Sequence, residues 1–154
     1  MAVAKNRERG HDVECAACEQ WPLERVDDDR AEWYDLEFVA DVVGNLAGTI
    51  ATVGDVVEAK SCYETYDGRA GRWWIRRENH ERLVDVDGWY VLVVLERESD
   101  EILRMALTRA ETVDRIIDGN WWDCGNGGRS AEQYRQVSWS AVFEDLRAPG
   151  GESA

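Results

Sequence analysis

The sequence predicts a mixed α/β fold in which helices pack around one central sheet. Runs rich in β-branched and aromatic residues alternate with charged, amphipathic segments, and turn-forming residues separate them. The run at 89–95, Trp-Tyr-Val-Leu-Val-Val-Leu, is almost continuously apolar, which is typical of a strand covered on both faces. The predicted order is a helix, three antiparallel strands, a second helix and further strands.

The N-terminal half contains one predicted helix and three predicted strands. The helix spans 6–20, because Val13, Ala16 and Ala17 form a small apolar face and Pro22 ends it. The strands are short runs of β-branched and aromatic residues. We expect them at 23–26, 33–43 and 52–62, with an acidic turn at 27–29 and a hairpin loop at 44–48.

The C-terminal half returns to the sheet after a second helix. That helix is expected at 75–86, where apolar residues recur among charges. The other predicted elements are a polar loop at 63–72, strands at 89–95 and 101–108, a helix at 112–117, an irregular glycine-rich segment at 119–129 and a last strand or helical turn at 138–146. No linker or repeat divides the chain, so we expect one domain over 1–147 and a disordered tail over 148–154.

The charge of the chain is strongly acidic. The net charge is −14 over 154 residues, and Lys5 and Lys60 are the only lysines. An acid excess with scarce lysine suits a cytoplasm of high salt, where hydrated carboxylates stay soluble and their repulsion is screened. We therefore hypothesise a halophilic source, with a mildly acidic mesophilic protein as the alternative. The same screening means that net charge does not exclude a nucleic-acid ligand.

The cysteines and the apolar runs indicate a cytoplasmic protein. Cys15 and Cys18 have zinc-knuckle spacing, but no second close Cys/His pair follows them. We expect free buried thiols, and a zinc site built from Cys15, Cys18, Cys62 and Cys124 is the alternative. The sequence has no apolar run long enough to span a bilayer and no signal-peptide core at its polar N-terminus.

Glu58 and Lys60 stand at the end of a predicted strand. Because side chains alternate across a strand, these two point to the same face. A carboxylate beside a lysine can ligand a divalent metal while the ammonium holds an attacking water near a phosphate, which suits phosphodiester hydrolysis. The alternative is a salt-bridge pair on an exposed strand face.

Further carboxylates stand close to Glu58 along the predicted fold. Mg²⁺ is usually held by one or two carboxylates together with waters and phosphate. Asp35 opens the preceding strand, and a hairpin brings it beside Glu58; Asp41 lies on the same hairpin and is a second candidate. Glu14 lies in the N-terminal helix, where it could cap the same pocket.

These motifs together resemble the PD-(D/E)XK nuclease superfamily. They are a helix with Arg9-Gly10 and a later Glu14, an aspartate opening a strand, and a hydrophobic strand that ends in Glu58-Ala59-Lys60-Ser61. The layout is similar to its archaeal Holliday-junction-resolvase-like and restriction-endonuclease-like branches, over roughly residues 6–95. The resemblance implies a restriction-endonuclease-like α-β-β-β-α-β core with a central mixed sheet flanked by helices.

The chain departs from the superfamily pattern in two places. Tyr34, not proline, precedes Asp35, which leaves both Asp35 and Asp41 open as the metal-binding aspartate. Asn79 stands where many members place a glutamine and has a similar hydrogen-bonding capacity with a shorter reach. His80 ranks below Asn79, because a single histidine on a charged helix is more often exposed or simply hydrogen-bonded.

The resemblance also implies a reaction, namely metal-dependent cleavage of DNA. Asp35, Glu58 and the backbone carbonyl of Ala59 would hold Mg²⁺ or Mn²⁺, which activates water and neutralises phosphate charge. Lys60 would orient the nucleophilic water or stabilise the transition state, and Glu14 would adjust the water network or hold a second ion. A homodimer is plausible by resemblance alone.

An arginine cluster follows the proposed site directly. Arginine makes bidentate phosphate contacts that survive salt, and tryptophan can stack on a base or sugar. The alternative is that a tryptophan packs the helix onto the sheet while the arginines pair with Glu78 and Glu81. The predicted nucleic-acid-binding residues are Arg69, Arg72, Arg76, Arg77, Asn79 and Trp74.

The leading hypothesis is therefore a DNA endonuclease that acts on branched or duplex DNA, with no membrane partner. One alternative is a non-catalytic nucleic-acid-binding or assembly module that keeps the nuclease fold. Another is a protein-interaction domain whose acidic faces serve only solubility.

Overall fold

The computed structural model describes residues 2–26, 33–43, 50–123 and 133–143. Its helices are α1 (Ala2–Gln20), α2 (Arg77–Asp85) and α3 (Ala110–Ile117). Its strands are β1 (Leu23–Arg25), β2 (Leu36–Phe38), β3 (Val42–Val43), β4 (Ile50–Ala51), β5 (Val56–Tyr63), β6 (Thr65–Tyr66), β7 (Arg69–Ala70), β8 (Arg72–Arg76), β9 (Trp89–Leu95), β10 (Ile102–Arg109), β11 (Trp122–Asp123) and β12 (Gln133–Ser138).

A mixed five-stranded sheet forms the centre, in the order β1-β2-β5-β9-β10. The pair β5 and β9 is parallel and the other pairs are antiparallel. Along the chain, α1, β1, β2, β5, α2 and β9 follow in that order. The predicted α-β-β-β-α-β core and its α/β class are therefore confirmed.

Two apolar clusters cover the two faces of this sheet. Alternate residues of β9, such as Val91, pack with Val13 and Ala17 of α1 on one face. The residues between them, such as Leu92, pack on the other face with Leu83 of α2 and with α3 and β8. All seven residues of β9 are buried, which confirms the predicted central strand. Each large apolar side chain buried in this way stabilises the fold by about 1.5–3 kcal/mol.

The segment after β5 differs most from the predicted elements. Residues 72–76 form strand β8 and not part of a loop and helix, and their burial alternates because Trp73 and Ile75 point inward. The helix therefore begins at Arg77. Within the predicted loop, β6 and β7 form a hairpin closed at Asp67 and Gly68, whose φ values of 55° and 75° match a type I′ turn.

The other predicted strands are shorter or displaced. The strand expected at 33–43 forms two pieces, β2 and β3, and β5 begins only at Val56 because residues 52–55 form a turn. The segment at 138–146 begins with the end of β12 and a 3-10 turn at Trp139–Ala141. The predicted turn at 27–29, the predicted hairpin loop at 44–48, the part of the predicted glycine-rich segment from Cys124 onward and the predicted tail at 148–154 lie outside the described residues.

The described cysteines are free thiols at partly buried positions: Cys15, Cys18 and Cys62. The expectation of free thiols is thus confirmed at these three positions, and their burial is only partial. No helix in the described ranges is both long and apolar enough to cross a membrane.

Candidate active site

The hairpin of β2 and β5 places Asp35 beside Glu58. Leu36 pairs with Val57, so Asp35 lies at the level of Glu58. The Asp35 N–H donates to the Val57 carbonyl over 3.1 Å, and its Oδ2 accepts the Ala59 N–H over 3.0 Å. These two bonds hold both the backbone and the carboxylate of Asp35 against β5.

Glu58 is a buried carboxyl group with an altered acidity. Val57 and Ala59 belong to the apolar cluster on the α1 face, so the Glu58 side chain points to the face covered by α2 and α3, and the residue is only 7% exposed. Burial raises its pKa to about 7, the charge of Asp35 and a hydrogen bond with it add to this rise, and Lys60 opposes it. Because the carboxyl is buried, Glu58 and Lys60 are not a salt-bridge pair on an exposed strand face.

Glu14 is the third carboxylate of the group. Its Oε1 accepts a hydrogen bond from Arg25 Nε over 2.9 Å, so α1 and β1 are joined at the edge of the site. Burial raises the pKa of Glu14 and the charge of Asp35 acts in the same direction, while the bond to Arg25 lowers it. Glu14 therefore lies within electrostatic reach of both Asp35 and Glu58.

Asp41 lies at the other end of the hairpin and does not meet Glu58. Its Oδ1 accepts the Val53 N–H over 2.8 Å and stabilises the turn before β5. The Phe38 N–H donates to the Asp55 carbonyl, so the chain has already run past the level of Glu58 when it reaches Asp41. Of the two candidate aspartates, Asp35 lies beside Glu58. The expectation that Asp41 could also lie there is wrong, because Asp41 is bonded to the turn before β5.

The carboxylate oxygens of Asp35 and Glu58 are suitable ligands for a hard cation. In the described ranges, no three His, Cys, Asp or Glu side chains are arranged as a complete metal site. The oxygens of Asp35 and Glu58 nevertheless match Mg²⁺, which is commonly held by one or two carboxylates and otherwise by water and phosphate. Burial and the charge of Asp35 disfavour the ionised form of Glu58, and a cation held by these carboxylates would offset that cost. Thiolate ligands for zinc are not gathered among Cys15, Cys18 and Cys62.

A comparison with protein-family models agrees with this arrangement. The model described as a PD-(D/E)XK nuclease superfamily domain matches residues 1–144. The chain belongs to this superfamily. The match spans all the described elements and extends well beyond the region that carried the sequence resemblance. Searches of curated proteins and of solved structures found no match.

This superfamily domain also contains a buried polar chain that the sequence did not reveal. Tyr90 pairs in register with Glu58 across β5 and β9. His80 Nδ1 lies 2.8 Å from the Tyr90 hydroxyl, and His80 Nε2 lies 2.9 Å from Asp114 Oδ1. His80 is fully buried, and burial followed by the charge of Glu58 raises the pKa of Tyr90. The position of Tyr90 inside an apolar run concealed its polar role.

The two tryptophans of the nuclease domain have different surroundings. Trp73 is fully buried and its Nε1 donates to the Val93 carbonyl over 2.9 Å, so the packing alternative is correct for this residue. Trp74 is 45% exposed and stacks on Tyr134, with ring centroids 4.1 Å apart. One face of the Trp74 ring is therefore covered by protein.

The predicted binding arginines are also unequal. Arg77 forms an ion pair with Glu81 at 2.8 Å and contacts Gln133, as the pairing alternative expected. The side chains of Arg69 and Arg72 are exposed and form no hydrogen bond or ion pair with the part of the chain that the structure describes. Arg76 is exposed on β8, and Asn79 is partly buried on α2. Arg69 and Arg72 are therefore the arginines best placed to take an external anion.

Proposed function

We propose that the chain is a metal-dependent DNA endonuclease that hydrolyses phosphodiester bonds. The observation that carries this proposal is the buried Glu58 carboxyl beside the partly buried carboxylate of Asp35, with Lys60 two residues beyond Glu58 on the same strand face. A structural salt bridge would not require a second carboxylate beside the buried carboxyl of Glu58, because that raises the energy of the ionised state of Glu58. Superfamily membership agrees with this interpretation.

Asp35, Glu58 and the carbonyl of Ala59 would hold Mg²⁺ or Mn²⁺, which would supply an activated water and neutralise charge on the scissile phosphate. The Ala59 N–H donates a hydrogen bond to the Asp35 carboxylate, so this metal ligand is oriented before a substrate arrives. Lys60 provides the ammonium that orients the attacking water or stabilises the charge that develops on phosphate. Glu14, held by Arg25, adjusts the local water network.

The proposed partner is DNA, either branched or duplex. Arg69 and Arg72 are the first phosphate contacts in this proposal, with Arg76 next to them on β8. We further propose that the protein acts as a homodimer on two DNA strands. Its proposed location is the cytoplasm, and its proposed source is a halophilic archaeon. Molar salt would screen the repulsion between a chain of net charge −14 and DNA.

The test is cleavage by the purified full chain in molar KCl with Mg²⁺ or Mn²⁺. Branched, single-stranded and duplex DNA are the substrates, and gel analysis of the products is the readout. We expect Lys60→Ala to lower the cleavage rate at least about 100-fold. Lys5→Ala, at the only other lysine, is the matched control and should cut as the wild type does. The proposal is wrong if no substrate is cut, or if Lys60→Ala cuts normally.

A non-catalytic nucleic-acid-binding or assembly module is the second candidate. It is favoured by the absence of a complete three-residue metal group among the described residues and by the bond of Glu14 to Arg25. Such a module would shift DNA in chelator and would cut none of the substrates when Mg²⁺ or Mn²⁺ is added. A protein-interaction domain would produce no shift at all.

A further inference from the structure

A cavity of about 540 Å³ lies between the β6–β7 hairpin and the three-stranded sheet β11-β12-β8. We name it the hairpin pocket. Its volume lies within the range of small-ligand sites in proteins. The residues that define its chemistry are Cys62, Tyr66, Asp67, Arg69, Arg72 and Trp74.

The pocket lies further along the same strand as the carboxyl pair. Cys62 is two residues beyond Lys60 and four beyond Glu58, and all three side chains share one face of β5. At about 3.3 Å per residue, Cys62 is about 7 Å from Lys60 and about 13 Å from Glu58. A DNA strand that is cut at the candidate active site can therefore reach the pocket within a few nucleotides of the cut.

Two aromatic rings and two arginines give the pocket its character. Tyr66 is 62% exposed and Trp74 is 45% exposed, although both contribute to the same cavity. Arg97 lies over one face of Tyr66 and Tyr134 covers one face of Trp74, which restricts the orientation of both rings. Exposed aromatic faces of this kind stack on bases whatever their sequence.

Arg69 and Arg72 point to an anionic ligand. The chain has 32 acidic residues for 18 basic ones, so partners for an arginine are abundant. The guanidinium groups of Arg69 and Arg72 nevertheless form no hydrogen bond or ion pair with any described residue, although both residues line the same cavity. Asp67 adds one carboxylate at the hairpin turn, which disfavours a second phosphate there and suits the N–H groups of a base.

The hairpin is held firmly, so the pocket exists before a ligand arrives. The Gly71 N–H donates to the Glu64 carbonyl, and the Trp139 N–H donates to the Gly71 carbonyl. Trp139 Nε1 also donates to the Glu64 carbonyl over 2.7 Å. A preformed site loses less conformational entropy when it binds.

We propose that the hairpin pocket binds one nucleotide of an unpaired DNA strand. Its base stacks on Tyr66 and Trp74, and its phosphate contacts Arg69 and Arg72. A base inside a duplex is already stacked and paired, so only an unpaired or extruded base can enter such a pocket. This deepens the proposed function and rests on it: the substrate is DNA with a single-stranded segment beside the scissile bond.

The test is equilibrium binding of the full chain in chelator, where no cleavage occurs. The probes are fluorescein-labelled oligothymidylate and the same length of blunt duplex, and fluorescence anisotropy is measured. We expect Tyr66→Ala and the double variant Arg69→Gln/Arg72→Gln each to weaken oligothymidylate binding about 10-fold or more, with a smaller effect on the duplex. Tyr66 lies on an exposed hairpin, so its loss leaves the core intact.

One matched control lies outside the pocket and the other preserves its stacking surface. Arg115→Gln removes an exposed arginine of α3 that pairs with Glu111. Tyr66→Phe keeps the aromatic ring at the pocket. Both should bind oligothymidylate as the wild type does. The proposal is overturned if the wild type does not bind oligothymidylate, or if the pocket variants bind it normally. Loss of binding in the pocket variants, together with normal cutting by Lys60→Ala, would support the pocket and reject the nuclease mechanism.

Discussion

Glu58 and Asp35 lie close enough in the folded chain for their negative charges to repel each other. The Asp35 carboxylate accepts the Ala59 N–H, while burial of Glu58 and the charge of Asp35 favour the protonated form of Glu58 against the opposing charge of Lys60. A pair of this kind makes the protein less stable when both groups are ionised. Natural proteins commonly keep such a cost only where the groups perform chemistry.

Stability should therefore depend on the ionisation of Glu58. The pKa of Glu58 rises from 4.5 to about 7, so the folded chain holds a proton that the unfolded chain loses between these values. The free energy of unfolding consequently falls as pH rises through this window. We expect Glu58→Gln to abolish that fall and to stabilise the metal-free protein above pH 7 by up to about 3 kcal/mol.

Urea unfolding in chelator and molar KCl, followed by circular dichroism at several pH values, measures this effect. Glu101→Gln, at an exposed position before β10, is the control and should follow the wild-type pH profile. Identical profiles for Glu58→Gln and the wild type would contradict the assigned pKa.

The Tyr90 hydroxyl is the second residue-scale feature that can be tested. Tyr90→Phe leaves His80 Nδ1 buried without its partner, which should cost about 1–3 kcal/mol. A double-mutant cycle with His80→Leu should show that the two changes are strongly coupled. Tyr66→Phe, at an exposed tyrosine, is the control and should leave the free energy of unfolding almost unchanged. Additive effects of the two core changes would argue against the contact.

At the scale of elements, the sequence predicts best those helices and strands whose apolar residues recur with a clear spacing. The bounds of β9 match the apolar run at 89–95, and α1 contains the whole predicted helix. The β8 strand was missed because Arg76 and Arg77 continue the charged pattern across the boundary between strand and helix. Only pairing with β12, a contact distant in sequence, makes residues 72–76 extended.

The candidate site was predictable for a similar reason. Glu58 and Lys60 follow from alternation along one strand, and Asp35 follows from the hairpin before it. The choice between Asp35 and Asp41 depended on where β5 begins, which the turn at 52–55 determines. His80 was beyond prediction because its partners, Tyr90 and Asp114, come from two other elements.

The packing of the hairpin onto β5 depends on Gly71. A Cβ atom at this position would lie 1.7 Å from the Tyr63 carbonyl oxygen, and both groups are backbone, so neither can move alone. Gly71→Ala should therefore destabilise the protein by at least about 3 kcal/mol and weaken oligothymidylate binding. Urea unfolding and anisotropy provide the two measurements.

Gly10 offers the matched control for this change. It lies within α1, and a Cβ atom there would meet nothing within 4 Å. Alanine loses less conformational entropy in a helix, so Gly10→Ala should stabilise the protein by about 0.5–1 kcal/mol. Equal effects of the two substitutions would show that the contact of Gly71 with Tyr63 is not required.

At the scale of the whole molecule, acidic charge opposes folding. The net charge of −14 is concentrated in a single small chain, and the fold brings two of its carboxyl groups, Asp35 and Glu58, close together. The ion pairs at Arg77 and Arg115 connect adjacent turns of helices and offset little of it, because exposed pairs contribute about 0–1 kcal/mol each. Salt must therefore be a major determinant of stability.

We expect the melting temperature to rise as KCl increases to molar concentration. The screening length falls from about 10 Å at 0.1 M salt to about 3 Å at 1 M, so repulsion between separated carboxylates is largely removed. Glu98→Gln/Glu101→Gln, at exposed positions on the β9–β10 connection, should raise the melting temperature in dilute buffer. The gain should shrink in molar KCl because the salt already screens these charges. A gain of equal size in both buffers would mean that the two glutamates act through local contacts and not through the net charge.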